Sequence, residues 1–431
     1  MSKGKFILSV LMLMACITLQ RQAHAQAEST LTLDGVYRAV LDQNPQIQGY
    51  KAKIVAAEGH RAQVSLRPNP QAIFEAENFG GDTPRSGLDA AEYSLGVQQQ
   101  LEIAGKRSKR EQVAMLEKQH MDQQALASIQ SVLAQTKSAY MQVAIAQETL
   151  RLAKQRVALA DQTHQAVKKR INAAKSAEIQ HTKADLEVSS ARVAERKAEK
   201  ELRVTKMALA NLMGRADLGQ NIAADLMALP AVPQREVILQ AIEQTPMSVM
   251  SQIAVMREDA ALGLARANGV ADPVFGLGVR RFAEGDGTAF LASISIPINV
   301  FDRNQGRIAE AKANLRAAQA DQTAQRLALE RQVMEVWQTL VSVREEVTAY
   351  QDGLLPSARK AYSQAEDGFN RGAFSFLDLL DAQRTLFDMQ ERHLEALAAF
   401  HSSTAQIDML SGAYADMAAS ALGGNLNKKE E

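Results

Sequence analysis

Cysteine is almost absent: Cys16 is the only one in 431 residues. That excludes disulfides and thiolate metal clusters from the mature chain. Aromatic residues make up only 5% of the sequence, with a single tryptophan, while Ala, Leu, Gln, Glu, Lys and Arg dominate. This composition suits long helices meeting along narrow seams better than a globular core. Neither charge sign is in excess, with 49 basic and 49 acidic residues, so no nucleic acid or other polyanion is implied as a partner. Beyond the N-terminus no 18 consecutive apolar residues occur, so no membrane-spanning helix is expected there. No nucleophile, base or carboxylate dyad stands out from the helical charge pattern, so no enzyme and no cofactor is implied. Gly105-Lys106-Arg107 resembles the end of a phosphate loop. It lacks the upstream glycine and the Ser/Thr after lysine, which excludes a nucleotide site. The seven histidines are scattered and no pair has the spacing of a zinc site, so no metal ligands are assigned. Met247, Met250 and Met256 have soft sulfurs, but their helical spacing reads as packing.

The first 25 residues have an export pattern. Lys3 and Lys5 precede an apolar run from Phe6 to Leu19, followed by Ala23-His24-Ala25. This is a signal peptide ending in a small-residue cleavage site. Leu13-Met14-Ala15-Cys16 loosely matches a lipidation box, so lipidation at Cys16 stands as the minor alternative to simple cleavage.

The rest of the chain is written twice. Ser138 to Gly214 and Leu340 to Gly412 each comprise a helical stretch, a short break and a second helical stretch ending at glycine. Ser176 and Ser375 lie 199 residues apart, and Asn44-Pro45 and Thr245-Pro246 lie 201 apart. A period this long means a duplicated domain. The expected organisation is residues 33–214 as the first repeat and 215–234 as a connector packed around the middle of the rods. Residues 235–412 form the second repeat, and 413–431 a partly disordered tail ending in lysine and glutamate. Each repeat is expected to open with one helix, Leu33–Leu66 and Arg235–Asn268, that ends before a proline turn.

Four short stretches alternate with period two. Ala72, Phe74 and Ala76 define the first, and Tyr93, Leu95 and Val97 the second. Phe275, Leu277 and Val279, then Phe290, Ala292, Ile294 and Ile296, define the others. These are strands with one apolar face and one polar or small face. Four strands cannot bury such a face or pair their own edges. Either the sheet packs under helices, or it forms part of a closed barrel wall against lipid, which requires several copies of the chain.

From Gly105 to Arg170 the chain has no proline and no further glycine, which predicts a helix about 98 Å long at 1.5 Å per residue. Leu126, Ile129, Leu133, Thr136, Tyr140 and Val143 form one heptad stripe; Val132, Ala139, Ala146, Ala153, Ala160 and Val167 form a second. Two stripes require neighbours on both sides, as for a stave in a closed ring of helices. The counterpart runs from about Asn304 to Phe369, with Gly353 and Pro356 interrupting it. Return helices are expected over Ala177–Met213 and Phe376–Ser411.

This duplicated order of helix, strand hairpin, long helix and return helix resembles the TolC-like outer-membrane efflux channels over essentially the whole mature chain. Arg67-Pro68-Asn69-Pro70, Glu77-Asn78-Phe79-Gly80-Gly81 and Gln100 to Arg107 resemble the family's cobalt–zinc–cadmium resistance branch. The tip Arg371-Gly372-Ala373-Phe374-Ser375-Phe376-Leu377-Asp378 is similar to the family's periplasmic tip. The resemblance implies a mainly α chain with a transmembrane β part, assembled as a homotrimer in the outer membrane. Three chains would form a 12-strand β-barrel continuous with a 12-helix α-barrel that extends into the periplasm. The implied partners are outer-membrane lipid, a periplasmic adaptor (membrane fusion) protein and a proton-driven inner-membrane pump of the RND type. The implied function is a passive exit duct for divalent heavy-metal cations. Two alternatives stand beside it: the same duct for drugs or other organic solutes, and a periplasmic coiled-coil adaptor or scaffold.

Asp378 and Asp381 lie one turn apart at the second tip, where the resemblance implies an acidic ring at the pore's narrow end. Ser375-x-x-Asp378 also reads as a capping box, whereas Asp381 has no capping role. Three carboxylates about 6 Å apart repel by roughly 3 kcal/mol per pair at an effective dielectric of about 20, which favours cations. Ala173, Ala174, Ser176, Gly372, Ala373 and Ser375 are the small tip residues expected to receive the adaptor. Glycine there equally serves a tight reversal. The first tip departs from the family's pattern by having Ala173-Ala174 where a glycine is usual.

Overall fold

A computed structural model describes residues 30–80, 88–172 and 178–423. The signal sequence with Cys16, the first-tip residues Ala173, Ala174 and Ser176, and the last eight residues of the tail lie outside that set. The described chain forms two compact units. One holds residues up to 48, 128–241 and from 332 onward; the other holds 49–127 and 242–331.

The second unit carries the strands: β1 (Gln71–Glu77), β2 (Glu92–Gln100), β3 (Val274–Phe282) and β4 (Thr288–Ser295). They form one antiparallel sheet in the order β1-β2-β3-β4. β1 and β2 belong to the first repeat, β3 and β4 to the second, so the central pair joins the two halves of the sequence. Nine register pairs run between β2 and β3, from Glu92 opposite Phe282 to Gln100 opposite Val274. The β3–β4 turn holds Gly285 at φ 79°, a conformation that glycine adopts without steric cost.

Each repeat opens with two helices where the sequence pattern predicts one. In the first they are α1 (Leu33–Gln43) and α2 (Pro45–Val64). Asn44 between them is extended, at ψ 122°, because the residue before proline is driven out of the helical region. Its Oδ1 accepts from the amides of Gln46 and Ile47, at 2.9 and 3.2 Å, which caps α2. The long helix of this repeat is α3 (Lys106–Asn172), followed by the return helix α4 (Glu178–Leu212). In the second repeat α5 (Arg235–Ala241) and a short 3₁₀ turn precede α6 (Pro246–Asn268), with Thr245 as its N-cap. Each break falls on one of the repeat-related X-Pro pairs. The proline does not lie inside a continuous helix; it starts a new one.

The second long stretch comprises α7 (Gln305–Ala349), a π-helical turn (Tyr350–Leu354) and α8 (Leu355–Arg371). Pro356 sits in the first turn of α8, where its missing N–H is tolerated and the widened turn absorbs its ring. The return helix α9 (Phe376–Leu410) and the short α10 (Ala415–Ala421) complete the described fold.

Both heptad stripes of α3 are occupied. Ile129, Leu133, Thr136, Tyr140 and Val143 are buried, and so are Val132, Ala146, Ala160 and Val167. The connector docks at the helix midpoint, where the Tyr140 hydroxyl donates to the carbonyl of Leu31 at 3.0 Å and bonds that of Ala223. Leu31 and Ile222 form a parallel bridge beside it. The indole of Trp337 on α7 donates to the carbonyl of Pro233 at 3.0 Å. Glu187 of α4 is nearly closed off from solvent between Arg156 of α3 and Arg384 of α9, at 2.8 and 3.3 Å. The two guanidinium groups compensate the cost of shielding that carboxylate from water.

Candidate functional site: an unpartnered sheet face and a hairpin tip

Register fixes the two faces of the sheet. Phe74, Leu95 and Val279 stand in line across β1, β2 and β3, with Phe290 opposite Val279 on β4. Val97, Leu277 and Ala292 form the adjacent row. These side chains face outward: Leu277 is 72% exposed and Phe290 89%. A soluble chain that leaves such a face in water forgoes about 25 cal/mol for every Å² exposed. The opposite face is small and charged. Arg280 reaches Glu77 at 2.6 Å, Glu92 at 2.8 Å and the Ser94 hydroxyl at 2.9 Å. Gly96 and Gly278 are register partners there, and the backbones crowd so closely that a Cβ on Gly278 would fall 2.8 Å from the Leu95 carbonyl oxygen. Among the described residues no strand pairs with the outer edge of β1 or β4, and no helix is long and apolar enough to cross a membrane.

A second unpartnered feature lies on α4. Ile179, Leu186, Val193 and Met207 recur at heptad positions and are each more than half exposed. Such a seam wants a facing helix.

The second hairpin tip is built by α8 and α9. Gly372 ends α8 at φ 78°, and the amide of Ala373 donates back to the Gly368 carbonyl at 2.8 Å. Phe374 folds onto Gly368, where a Cβ would sit 2.2 Å from its ring. Ser375 starts α9 with a reciprocal capping box: its hydroxyl accepts from the Asp378 amide, and its own amide donates to the Asp378 carboxylate at 2.8 Å. The Ser375 side-chain and backbone hydrogen bonds hold the Asp378 carboxyl below the usual carboxylate range. Asp381 is exposed one turn further on. Under the turn, Val167 of α3, Ala184 of α4 and Phe369, Phe376, Leu379 and Leu380 form a buried cluster. Arg170 of α3 crosses to this hairpin, donating to the Phe369 carbonyl at 2.9 Å with its guanidinium 4.4 Å from the Phe369 ring centre.

The sequence profile of the Outer membrane efflux protein family matches residues 36–215 and 240–413. The chain belongs to this family. It is 29% identical, over 90% of its own length and 91% of the relative's, to the cobalt-zinc-cadmium resistance protein CzcC of Cupriavidus metallidurans. Its fold is similar to the open state of the MtrE outer membrane channel of Neisseria gonorrhoeae (TM-score 0.73, 18% identity, 88% of each chain). It is likewise similar to CusC (TM-score 0.73, 20% identity, 92% of each chain). A membrane protein from Pseudomonas aeruginosa matches at TM-score 0.75, with 18% identity over 88% of this chain and 90% of the other.

This outer membrane efflux protein is therefore a channel of the outer membrane and not a member of an enzyme family, which sets aside the scaffold reading. Gly105-Lys106-Arg107, excluded as a nucleotide loop, serves the fold instead. Lys106 pairs with Asp272 at 2.8 Å, both side chains being only 9% exposed, and donates to the Val270 carbonyl. Met247 and Met256 stand partly open to solvent. Met247 and Met250 line a groove of about 350 Å³ with His120, Arg257 and Asp321.

Three features escape a reading of the sequence. Arg170 lies 199 residues from its acceptor, and no local pattern announces such a pairing. The α4 stripe is the second, although its heptad spacing is a signal that could have revealed it. The third is a histidine–aspartate cluster. His181 and Asp185 share one face of α4 by their four-residue spacing, but His164 joins them only because the hairpin folds back.

Proposed function

We propose that the chain is the passive exit duct of a tripartite, proton-driven efflux system, and that its cargo is divalent heavy-metal cations. The observation that carries the duct is the four-stranded sheet with one exposed apolar face and two open edges. Closure in lipid leaves no strand unpaired, and three copies supply a ring of suitable size. The exposed heptad seam of α4 supports the same closure, since a neighbouring copy supplies the missing helix. The cargo rests on the likeness to a cobalt-zinc-cadmium resistance protein over nine-tenths of the chain. An adaptor docking on the small residues Gly372 and Ala373, and on Ala173, Ala174 and Ser176 at the other tip, and an RND-type pump complete the assembly.

The test is export. Expressed with its adaptor and pump in a host lacking its own metal-efflux duct, the chain is expected to restore growth on zinc or cadmium and lower cell-associated metal. Restored resistance to organic toxicants without any change in metal content would assign the duct to that other cargo instead.

Asp381 is the residue we propose for the cation-selective ring, because Asp378 is committed to its helix cap. Charge of one sign around a narrow opening raises the local counter-ion concentration at least tenfold. Asp381→Asn is therefore expected to lower the cation-to-anion permeability ratio several-fold in planar bilayers. Asp378→Asn, which retains a capping side chain, should change it less. Equal, unchanged selectivity in both variants would remove the tip from the permeation path.

A further inference from the structure

His164 stands on α3, two to three turns before that helix ends at Asn172, and His181 and Asp185 stand in the first two turns of α4. The Nε2 of His164 lies 2.8 Å from Asp185 Oδ1, and the Nδ1 of His181 lies 2.9 Å from Asp185 Oδ2. The two imidazole rings are 5.0 Å apart, tilted by 59°. One ligand atom from each residue falls within 4.8 Å of both others, and among the described residues no other group of histidine, cysteine and carboxylate side chains converges in this way. We propose that these three residues form a binding site for a first-row divalent transition-metal ion of the zinc type.

The donor set fits that ion. Two neutral imidazole nitrogens and one carboxylate oxygen suit Zn²⁺, Co²⁺ or Ni²⁺, whereas Mg²⁺ and Ca²⁺ favour all-oxygen shells. Zinc sits about 2.0–2.2 Å from nitrogen and oxygen ligands, which puts tetrahedral donors roughly 3.4 Å apart. Each imidazole approaches a different oxygen of Asp185 more closely than that, and one donor atom from each of the three residues lies within 4.8 Å of the others. Small side-chain rotations therefore suffice, with no helix movement. The Nε2 of His164 is shielded from solvent yet makes no directed hydrogen bond, in spite of its close approach to Asp185. A shielded nitrogen without a well-directed partner is costly, and coordination to a metal ion would satisfy it.

The site is half open. The His164 side chain is 17% exposed, His181 36% and Asp185 53%. Three protein ligands leave a fourth tetrahedral position to water, whereas structural zinc sites are closed by four protein ligands. A bound ion would staple α3 to α4 near the end of the first hairpin and exchange with the surrounding solution. This inference does not depend on the cargo: it concerns where an ion rests, not what the duct passes.

The experiment uses the full chain, purified in detergent without a polyhistidine tag and stripped with a chelator. Titration with Zn²⁺ is expected to show one site per chain, unaffected by excess Mg²⁺. Co²⁺ in its place should give the visible ligand-field bands of a low-coordinate nitrogen–oxygen site. His164→Ala and His181→Ala, each checked for an unaltered heat-modifiable gel shift, are expected to weaken Zn²⁺ binding by about tenfold or more and abolish those bands. Asp185→Asn should weaken binding while preserving side-chain shape. Equal Zn²⁺ uptake by wild type and both histidine variants, or none by wild type, would overturn the site. Because titration reads binding and the growth assay reads export, either proposal can fail while the other stands.

Discussion

Leu277→Arg is expected to remove the protein from the outer membrane. Leu277 is central in β3, faces outward, and stands in register between Val97 and Ala292. An arginine on the lipid face of a membrane barrel costs roughly 2–4 kcal/mol at the bilayer midplane. In a closed trimer the substitution occurs three times, or about 6–12 kcal/mol, which is comparable with the whole stability of many folded domains, about 5–15 kcal/mol. The variant should therefore lose the heat-modifiable band and the outer-membrane fraction. Gln98→Arg is the matched control. It introduces the same charge one residue along from Val97, on the opposite face, opposite Gly276. That face already holds Arg280 in a polar network, so Gln98→Arg should assemble normally. Loss of both variants, or of neither, would mean that the two faces do not meet different solvents.

The same alternation that makes this prediction possible makes the sheet legible in the sequence. Period two needs no knowledge of neighbours, and Tyr93-x-Leu95-x-Val97 displays it in five residues. The long helices are legible for a similar reason, because heptad stripes and missing glycine and proline are local facts. The breaks at Pro45 and Pro246 are less visible, because proline is equally at home in the first turn of a helix as after its end. There the caps decide: Asn44 and Thr245 each supply a side-chain oxygen to the following turn. The capping box of Ser375 and Asp378 is readable, since both halves lie within four residues. What stays hidden is every contact made across the hairpins. Arg170 on Phe369, and His164 beside His181 and Asp185, depend on how far each return helix slides along its long partner. Hydrophobic period fixes which faces meet but leaves that axial offset to packing.

A single methyl group at position 278 is expected to prevent assembly nearly as well as any larger side chain. Gly278 lies opposite Gly96 in the β2–β3 ladder, the pairing that joins the two repeats within one chain. A Cβ at Gly278 would meet the Leu95 carbonyl oxygen at 2.8 Å and the Gly96 Cα at 3.1 Å. Both are backbone atoms, so no side-chain rotation can relieve the clash and the strands must separate. The reciprocal position is tight as well, though less so, since a Cβ on Gly96 would fall 3.0 Å from the Leu277 carbonyl oxygen. Overpacking of this kind costs about 1–3 kcal/mol, and each ladder hydrogen bond weakened beside it adds about 1 kcal/mol. The penalty again recurs in every copy around the ring. Because the first carbon alone makes the contact, Gly278→Ala and Gly278→Val should fail to nearly the same degree, whereas a defect set by side-chain bulk would grade with size. Gly59→Ala, in α2 where a Cβ meets nothing within 4 Å, should leave the heat-modifiable trimer intact. Gly278→Ala running with wild-type heat stability would show that β2 and β3 do not approach this closely in the assembled channel.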